Sequence, residues 1–341
     1  MSAPARTLEI RTSPHILSGA SVDAIMFNVL LALLPTTAFA VFAFGLAGLL
    51  TLTTAVASCL LTERLACWLA GTPQSLGDGS VAITGLLLGL TLPPALPLWM
   101  VAVGGFVGVG LAKSLFGGLG LNAFNPALVG RAFLQAAFPV AMTSWTPAFG
   151  SERFVSLPLS TWTLPFTRPL YDGLSGATPL SLWKFDGQLS EVADLAAGFV
   201  GGSTGETSAI LILLGGAYLV TRNMMNWRIP AGIFAVVLML SGALHASDAE
   251  RYAPPLFMLF SGGLMLGAVF MATDMVASPM TALGCWLYGA LIGALVVVIR
   301  AWGGMPEGVM YAILLANAVS PHIDRWIQPR VYGTGKREVE H

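Results

Sequence analysis

The stretch Asp172-Gly173-Leu174-Ser175-Gly176-Ala177-Thr178-Pro179-Leu180 sets a threonine hydroxyl in the one long polar interruption of an otherwise apolar chain. Proline after Thr178 biases that threonine toward extended backbone. Gly173 and Gly176 permit tight turning and close approach by another backbone or a ligand. The hydroxyl is therefore presented on a loop rather than packed in a helix. Thr178 is the chain's one candidate for a covalent role, with an ordinary turn as the plain alternative. Asp274 is the second candidate. It adjoins an apolar run, between Thr273 and Ser278-Pro279. A carboxylate at membrane depth is a candidate ion or proton site, unless it caps the next helix. Asp78 and Glu307 lie in glycine-rich links and read as structural.

The elements that must position these groups are membrane-like. Of 341 residues, 55% are hydrophobic and 10% charged, against about 25% charged in a soluble domain. The chain therefore reads as an integral membrane protein. Its net charge of -1 and lack of a long basic run give no sign of a nucleic-acid partner. The 39 glycines suit membrane helices whose backbones approach closely. Cys59, Cys67 and Cys285 form no CxxC pair. An iron–sulfur cluster takes about four thiolates, so these cysteines read as small buried side chains. Gly105-Phe106-Val107-Gly108-Val109-Gly110 lies inside an apolar run without the strand–turn–helix context of a dinucleotide site. No Walker A sequence, zinc spacing or serine-hydrolase elbow occurs.

A spanning helix needs roughly 20 apolar residues, fewer where it is broken and buried by neighbours. On that measure residues 1–20 form a polar N-terminal segment, and 22–61 supply two spans divided near Phe44-Gly45. A third span, 81–92, stops at Pro93-Pro94, short of a full crossing. A fourth runs over 97–111, and a fifth over 122–140 opens with Asn122-Ala123-Phe124-Asn125-Pro126 and contains Arg131. Such polar residues at membrane depth point to a broken helix facing protein, a cavity or a cofactor. Residues 143–206 form an extramembrane loop bearing Thr178. Further spans are expected at 207–221, 229–245, 255–273, 280–299 and 306–322, before a basic tail over 324–341. The expected fold is all-α, with about ten transmembrane helices.

Charge sets the orientation. With the N-terminus inside, Arg6, Arg11, Arg64, Lys113, Arg222, Arg228, Arg325, Arg330, Lys336 and Arg337 fall on the cytoplasmic side. Only Arg153, Arg168, Lys184, Arg251 and Arg300 fall outside, as the positive-inside rule favours. Both termini are then cytoplasmic and the Thr178 loop is periplasmic. The membrane halves, 21–142 and 207–323, also look related. Trp99 precedes Lys113 as Trp286 precedes Arg300, and each basic residue is followed by a glycine pair, Gly117-Gly118 and Gly303-Gly304. Five spans per half make the two units inverted repeats with broken helices, a common transporter construction. Chance similarity of glycine-rich apolar sequence is the alternative.

Asp172-Gly173-Leu174-Ser175-Gly176-Ala177-Thr178 resembles the flavinylation motif recognised by flavin transferases, in which the final threonine carries FMN through a phosphoester bond. The motif occurs in membrane subunits of the Rnf-type electron-transport complex and of the related sodium-pumping NADH:quinone reductase. Gly77-Asp78-Gly79-Ser80, the run 116–127, Gly130-Arg131-Ala132-Phe133, 272–279 and 303–309 followed by Asn317 resemble the same family, in order along nearly the whole chain. The short N-terminal lead favours its D-type branch over the longer B-type one.

The resemblance implies covalent FMN on Thr178, with Asp172, Ser175 and Gly176 as part of the recognition motif. It implies one link in a redox chain between ferredoxin and NAD in a bacterial inner membrane, coupled to Na+ or H+ movement and inactive outside the assembly. Implied partners are the other membrane and peripheral subunits, a flavin transferase and membrane lipid. A second, non-covalent riboflavin is implied by analogy with the quinone reductase, without residues assigned to it. Arg131 could pair with a flavin phosphate or with a carboxylate. A non-redox permease of the urea- or ammonium-channel kind would explain the spans and broken helices but not the motif, and a purely structural scaffold fails on the same point.

Overall fold

The computed structural model describes residues 21–71, 76–165, 167, 177–206 and 208–328; among these there are helices and no strand. Asp172, Ser175 and Gly176 of the motif, the segment 1–20 and most of the basic tail lie outside the described residues. Three helices are long and apolar enough to cross a membrane: Val22–Ala70, Arg228–Ser247 and Ala282–Trp302. Shorter apolar helices are Ser80–Thr91, Leu98–Ser114 and Ala209–Thr221.

Helix α1 (Val22–Ala70) has 49 residues, a rod of about 74 Å at 1.5 Å per residue, more than twice the ~30 Å hydrocarbon core. It breaks at Gly45, where φ is 63° and ψ -138°, as the Phe44-Gly45 division leads one to expect. The break is sealed from outside the helix. Leu46 N–H donates to Arg153 O at 2.9 Å, and Phe149 N–H donates to Ala43 O at 2.9 Å. Arg153 Nε adds a bond to Phe42 O at 2.9 Å. Backbone groups freed inside a membrane protein must find such partners.

The same rule explains α2 (Ser80–Thr91). Asp78 Oδ1 accepts from Ser80 N–H (2.8 Å) and Ser80 Oγ (2.7 Å), which fixes its start. Its end stops before Pro93-Pro94. There Leu90 O accepts from Gly205 N–H at 2.5 Å, and Leu92 O accepts from Thr204 N–H at 3.1 Å and Thr204 Oγ1 at 2.7 Å. Thr51 Oγ1 donates to Pro94 O at 3.0 Å. Residues 204–205, just ahead of α5, thus dock on the end of α2.

Helix α3 (Leu98–Val109) continues as a π-helical turn over Gly110–Ser114 and packs on α4 (Pro126–Ala137). Asn125 caps α4 through Oδ1, bonding Ala127 N–H (3.0 Å) and Leu128 N–H (3.4 Å). A Cβ at Gly130 would lie 2.5 Å from Gly104 O, so only glycine lets these two backbones meet. Further along the chain, α5 (Ala209–Thr221) and α6 (Arg228–Ser247) precede α7 (Pro255–Phe260).

The expected single span over 255–273 is instead broken. After α7 the chain turns at Ser261-Gly262-Gly263, with Gly262 at φ 67°, before α8 (Leu264–Leu266) and a π-helical turn over Gly267–Met271. Uninterrupted apolarity hides the break, and the glycine pair permits it. Helices α9 (Ala282–Trp302) and α10 (Val309–Trp326) follow. Helix α9 lies tight against α6, where a Cβ at Gly289 would sit 2.6 Å from Ile229 O. Large apolar side chains such as Leu61, Trp68, Leu69 and Met280 point outward, as suits a lipid-facing surface.

Candidate functional site

Thr178 sits where the loop re-enters the helices. Its backbone is extended (φ -71°, ψ 154°), as Pro179 requires, and it caps the short turn Pro179–Ser181. Thr178 Oγ1 accepts from Ser181 N–H at 3.3 Å and shares a hydrogen bond with Ser181 Oγ at 2.9 Å. The residue is 7% exposed, while neighbouring Ala177 is open to solvent.

Beneath it lies a cavity of about 420 Å³ whose wall includes Arg131, Thr178, Ser181, Glu206, Glu307 and Tyr311. Elements distant in sequence build this cavity. Arg131 projects from α4 and donates through Nη2 to Glu307 Oε2 at 2.9 Å. Glu307 precedes α10, and its Oε1 accepts from Gly263 N–H at 2.5 Å, at the break between α7 and α8. Arg300, near the end of α9, donates to the carbonyls of Met258 (2.5 Å) and Ser261 (2.9 Å), the exposed end of α7. The broken helix is thus stitched by one guanidinium and one carboxylate. Arg131 Nε is buried without a hydrogen-bond partner among the described residues.

Glu206 completes the group. It follows the docked residues 204–205 and is held by Ser203. A Cβ at Gly263 would lie 2.8 Å from Glu307 Oε1 and 3.7 Å from Glu206 Oε1, so the two carboxylates converge on one point. The motifs of the sequence do not single out Glu206. Its one signal there is isolation: it is the only acidic residue between Asp194 and Asp248, at the end of a glycine-rich run before an apolar helix.

Lys184 lies on the wall of an adjoining cavity, which shares Leu180 and Pro306 with the Thr178 cavity. Its Nζ reaches Gly303 O (2.5 Å), Met305 O (3.0 Å) and Arg300 O (3.2 Å). Burial pushes its pKa down, yet three carbonyl acceptors can be met together only by the three N–H bonds of an ammonium. The lysine therefore ties the Thr178 loop to the link ahead of Glu307.

Asp274 lies elsewhere, beside a third cavity of about 140 Å³ whose wall includes Lys113, Asn122, Asn125 and Thr273. Its Oδ1 accepts from Val276 N–H (3.1 Å) and its Oδ2 from Asn122 Nδ2 (3.4 Å). The alternative that Asp274 caps the next span does not hold. Thr281 caps α9, its Oγ1 accepting from Gly284 N–H at 3.0 Å. Asp274 closes a local turn and leaves one oxygen toward Asn122. Lys113, on the same cavity wall, bonds Glu63 Oε1 (3.1 Å) and Ser80 Oγ (3.0 Å), which links it to Asp78. Asp78 has the structural role expected of it; Glu307 stitches the fold and also lines the Thr178 cavity. Among the described residues no cluster of His, Cys, Asp and Glu is arranged to hold a metal ion.

A model of the family described as "NQR2, RnfD, RnfE family" matches residues 9–333. The chain is 40% identical to the D-type subunit of the proton-translocating ferredoxin:NAD(+) oxidoreductase complex of Clostridium ljungdahlii, covering 95% of this chain and 96% of the relative. It is 41% identical to the D-type subunit of the ion-translocating oxidoreductase complex of Stutzerimonas stutzeri, covering 93% and 94%. It is 39% identical to the D-type subunit of the Na(+)-translocating ferredoxin:NAD(+) oxidoreductase complex of Acetobacterium woodii, covering 98% and 98%.

Proposed function

Because the chain belongs to the NQR2, RnfD, RnfE family, we propose that it is the flavin-carrying membrane subunit of an ion-translocating ferredoxin:NAD+ oxidoreductase complex. The observation that carries the flavin is the Thr178 hydroxyl on the wall of a 420 Å³ cavity, within the ~300–1,000 Å³ typical of cofactor pockets. The residues present fit FMN. Ser181 offers an N–H and a hydroxyl at the Thr178 oxygen, suited to a phosphoester. Arg131, with its unpartnered Nε, can donate to an anionic or carbonyl edge. Met142, Trp145, Phe185 and Tyr311 supply apolar and aromatic wall for a flat ring. Bound there, FMN would supply exchange of one or two electrons; the protein contributes position and electrostatics.

The relatives differ in the ion their names give, H+ in one and Na+ in another, and either is open to this chain. Partners in the proposal are the other subunits of the complex, surrounding lipid, and a flavin transferase that loads Thr178. The membrane arrangement is about ten spans in two inverted halves, with cytoplasmic termini and Thr178 outside. Two observations support it. Gly45 divides α1 into two membrane-length pieces. Lys113 and Arg300, at matching places in the two halves, are both buried and both engage a half-helix: Lys113 the start of α2, Arg300 the end of α7.

In-gel flavin fluorescence of the denatured chain, with a transferase co-expressed, tests the reading. The parent band fluoresces and Thr178→Ala is dark. A dark parent, with the transferase active on another substrate, or a fluorescent Thr178→Ala, overturns it.

A further inference from the structure

The cavity beneath Thr178 holds more charge than its stitching role needs. Arg300 is held by the carbonyls of Met258 and Ser261, and Arg131 by Glu307, each with its Nε unpartnered among the described residues. Glu307 is held too, one oxygen by Arg131 and the other by Gly263 N–H. Glu206 is different. It stands on the cavity wall, its bonds run to Ser203 rather than to a guanidinium, and it converges with Glu307 beside Gly263. The groups that face it are Ser203 on its own segment, Glu307 ahead of α10, Arg131 on α4 and Arg300 on α9. Two carboxylates so close favour keeping one neutral as negative charge builds. Glu307 is locked by two donors, so the proton falls to Glu206, whose carboxyl is pushed up to about 8 by burial and the neighbouring Glu307; above that pH it stands ionised until further negative charge arrives.

We propose that Glu206 is the proton-exchanging group of this cavity, taking up a proton when an electron arrives at the cofactor on Thr178 and releasing it when the electron leaves. The inference rests on the flavin reading above. The bookkeeping closes: one electron enters from a neighbouring one-electron carrier, and one proton from water adds to a Glu206 carboxylate oxygen as an O–H bond. The net charge of the cavity is unchanged, and electron and proton depart together. Without such compensation, a new charge in a low-dielectric site raises the cost of loading it. Glu206 does not bind the cofactor in this account; it sets the charge the cofactor meets.

The test is redox-difference infrared spectroscopy on the purified, flavin-loaded chain in its complex, with in-gel fluorescence confirming attachment in each sample. In the parent, held at a pH above about 8 so that Glu206 starts ionised, reduction gains a protonated-carboxyl C=O band that shifts in D2O. In Glu206→Gln that band is lost while fluorescence persists. Glu206→Asp, which keeps the acid on a shorter arm, retains the band at a displaced frequency and stands in where Glu206→Gln does not fold. A fluorescent parent with no carboxyl band, or a band unchanged in both variants, overturns the role of Glu206 and leaves the flavin reading intact. A dark parent overturns the flavin reading first.

Discussion

Arg131 and Glu307, 176 positions apart, meet at 2.9 Å and join α4 to the link ahead of α10 on the wall of the Thr178 cavity. Their side chains are 9% and 19% exposed. Removing one partner of a buried pair strands the other charge, at about 3–5 kcal/mol, whereas replacing both is often close to neutral. Arg131→Met and Glu307→Gln should therefore each lower the thermal midpoint of the purified chain in detergent. The double variant should lose much less than the two losses combined. Additive losses would mean that the pair is not energetically coupled.

Gly45 and Gly71 both have positive φ, 63° and 64°, but their ψ differs: Gly71, at 21°, is left-handed helical, whereas Gly45, at -138°, lies outside the region other residues adopt. A Cβ at Gly45 would lie 2.0 Å from Arg153 O, while one at Gly71 meets nothing within 4 Å. Gly71→Ala should cost only the backbone strain, about 1 kcal/mol. Gly45→Ala adds a collision with the carbonyl that seals the helix break. It should abolish accumulation of folded chain, as read by monodisperse yield on size-exclusion chromatography. Equal yields would show that the Arg153 contact is not needed.

Much of this scaffold is legible in the sequence, and what is missing follows a pattern. The division at Phe44-Gly45 and the stop at Pro93-Pro94 can be read because glycine and proline act locally. The partners that make those breaks tolerable, Arg153 for the first and residues 204–205 for the second, cannot. They lie more than 100 positions away, and no local period announces them. The break at Ser261-Gly262-Gly263 is hidden because its flanks are as apolar as any unbroken span. Thr178 stands out by its motif, but the cavity around it is assembled from α4, the α7 break, the link before α10 and α10 itself, which only packing brings together. Glu206 and Lys184 act through those packed neighbours, and their own surroundings in sequence are ordinary.

Lys184 holds the carbonyls of Gly303 and Met305 in the link that leads to Glu307, and that of Arg300 in the last turn of α9. A hydrogen bond to a charged group contributes about 1.5–3 kcal/mol. Lys184→Met keeps much of the side chain's length and removes the donors. Amide hydrogen exchange over 300–308 should quicken by at least tenfold, while exchange within α6 stays as it was. Unchanged exchange over 300–308 would show that the link holds itself.

Asp274 joins a structural bond to a free-standing charge, and two substitutions separate them. Asp274→Asn keeps an oxygen to accept from Val276 N–H and removes the negative charge beside Asn122. Asp274→Ala removes both. If the carboxylate serves ion passage, as membrane-depth carboxylates do by default, both variants in the assembled complex should lose ion uptake into vesicles severalfold. Asp274→Asn should retain the parent's thermal midpoint, and Asp274→Ala should fall below it. If Asp274→Asn transports as the parent does and only Asp274→Ala fails, the residue serves the turn over 274–278, and the ion path lies elsewhere.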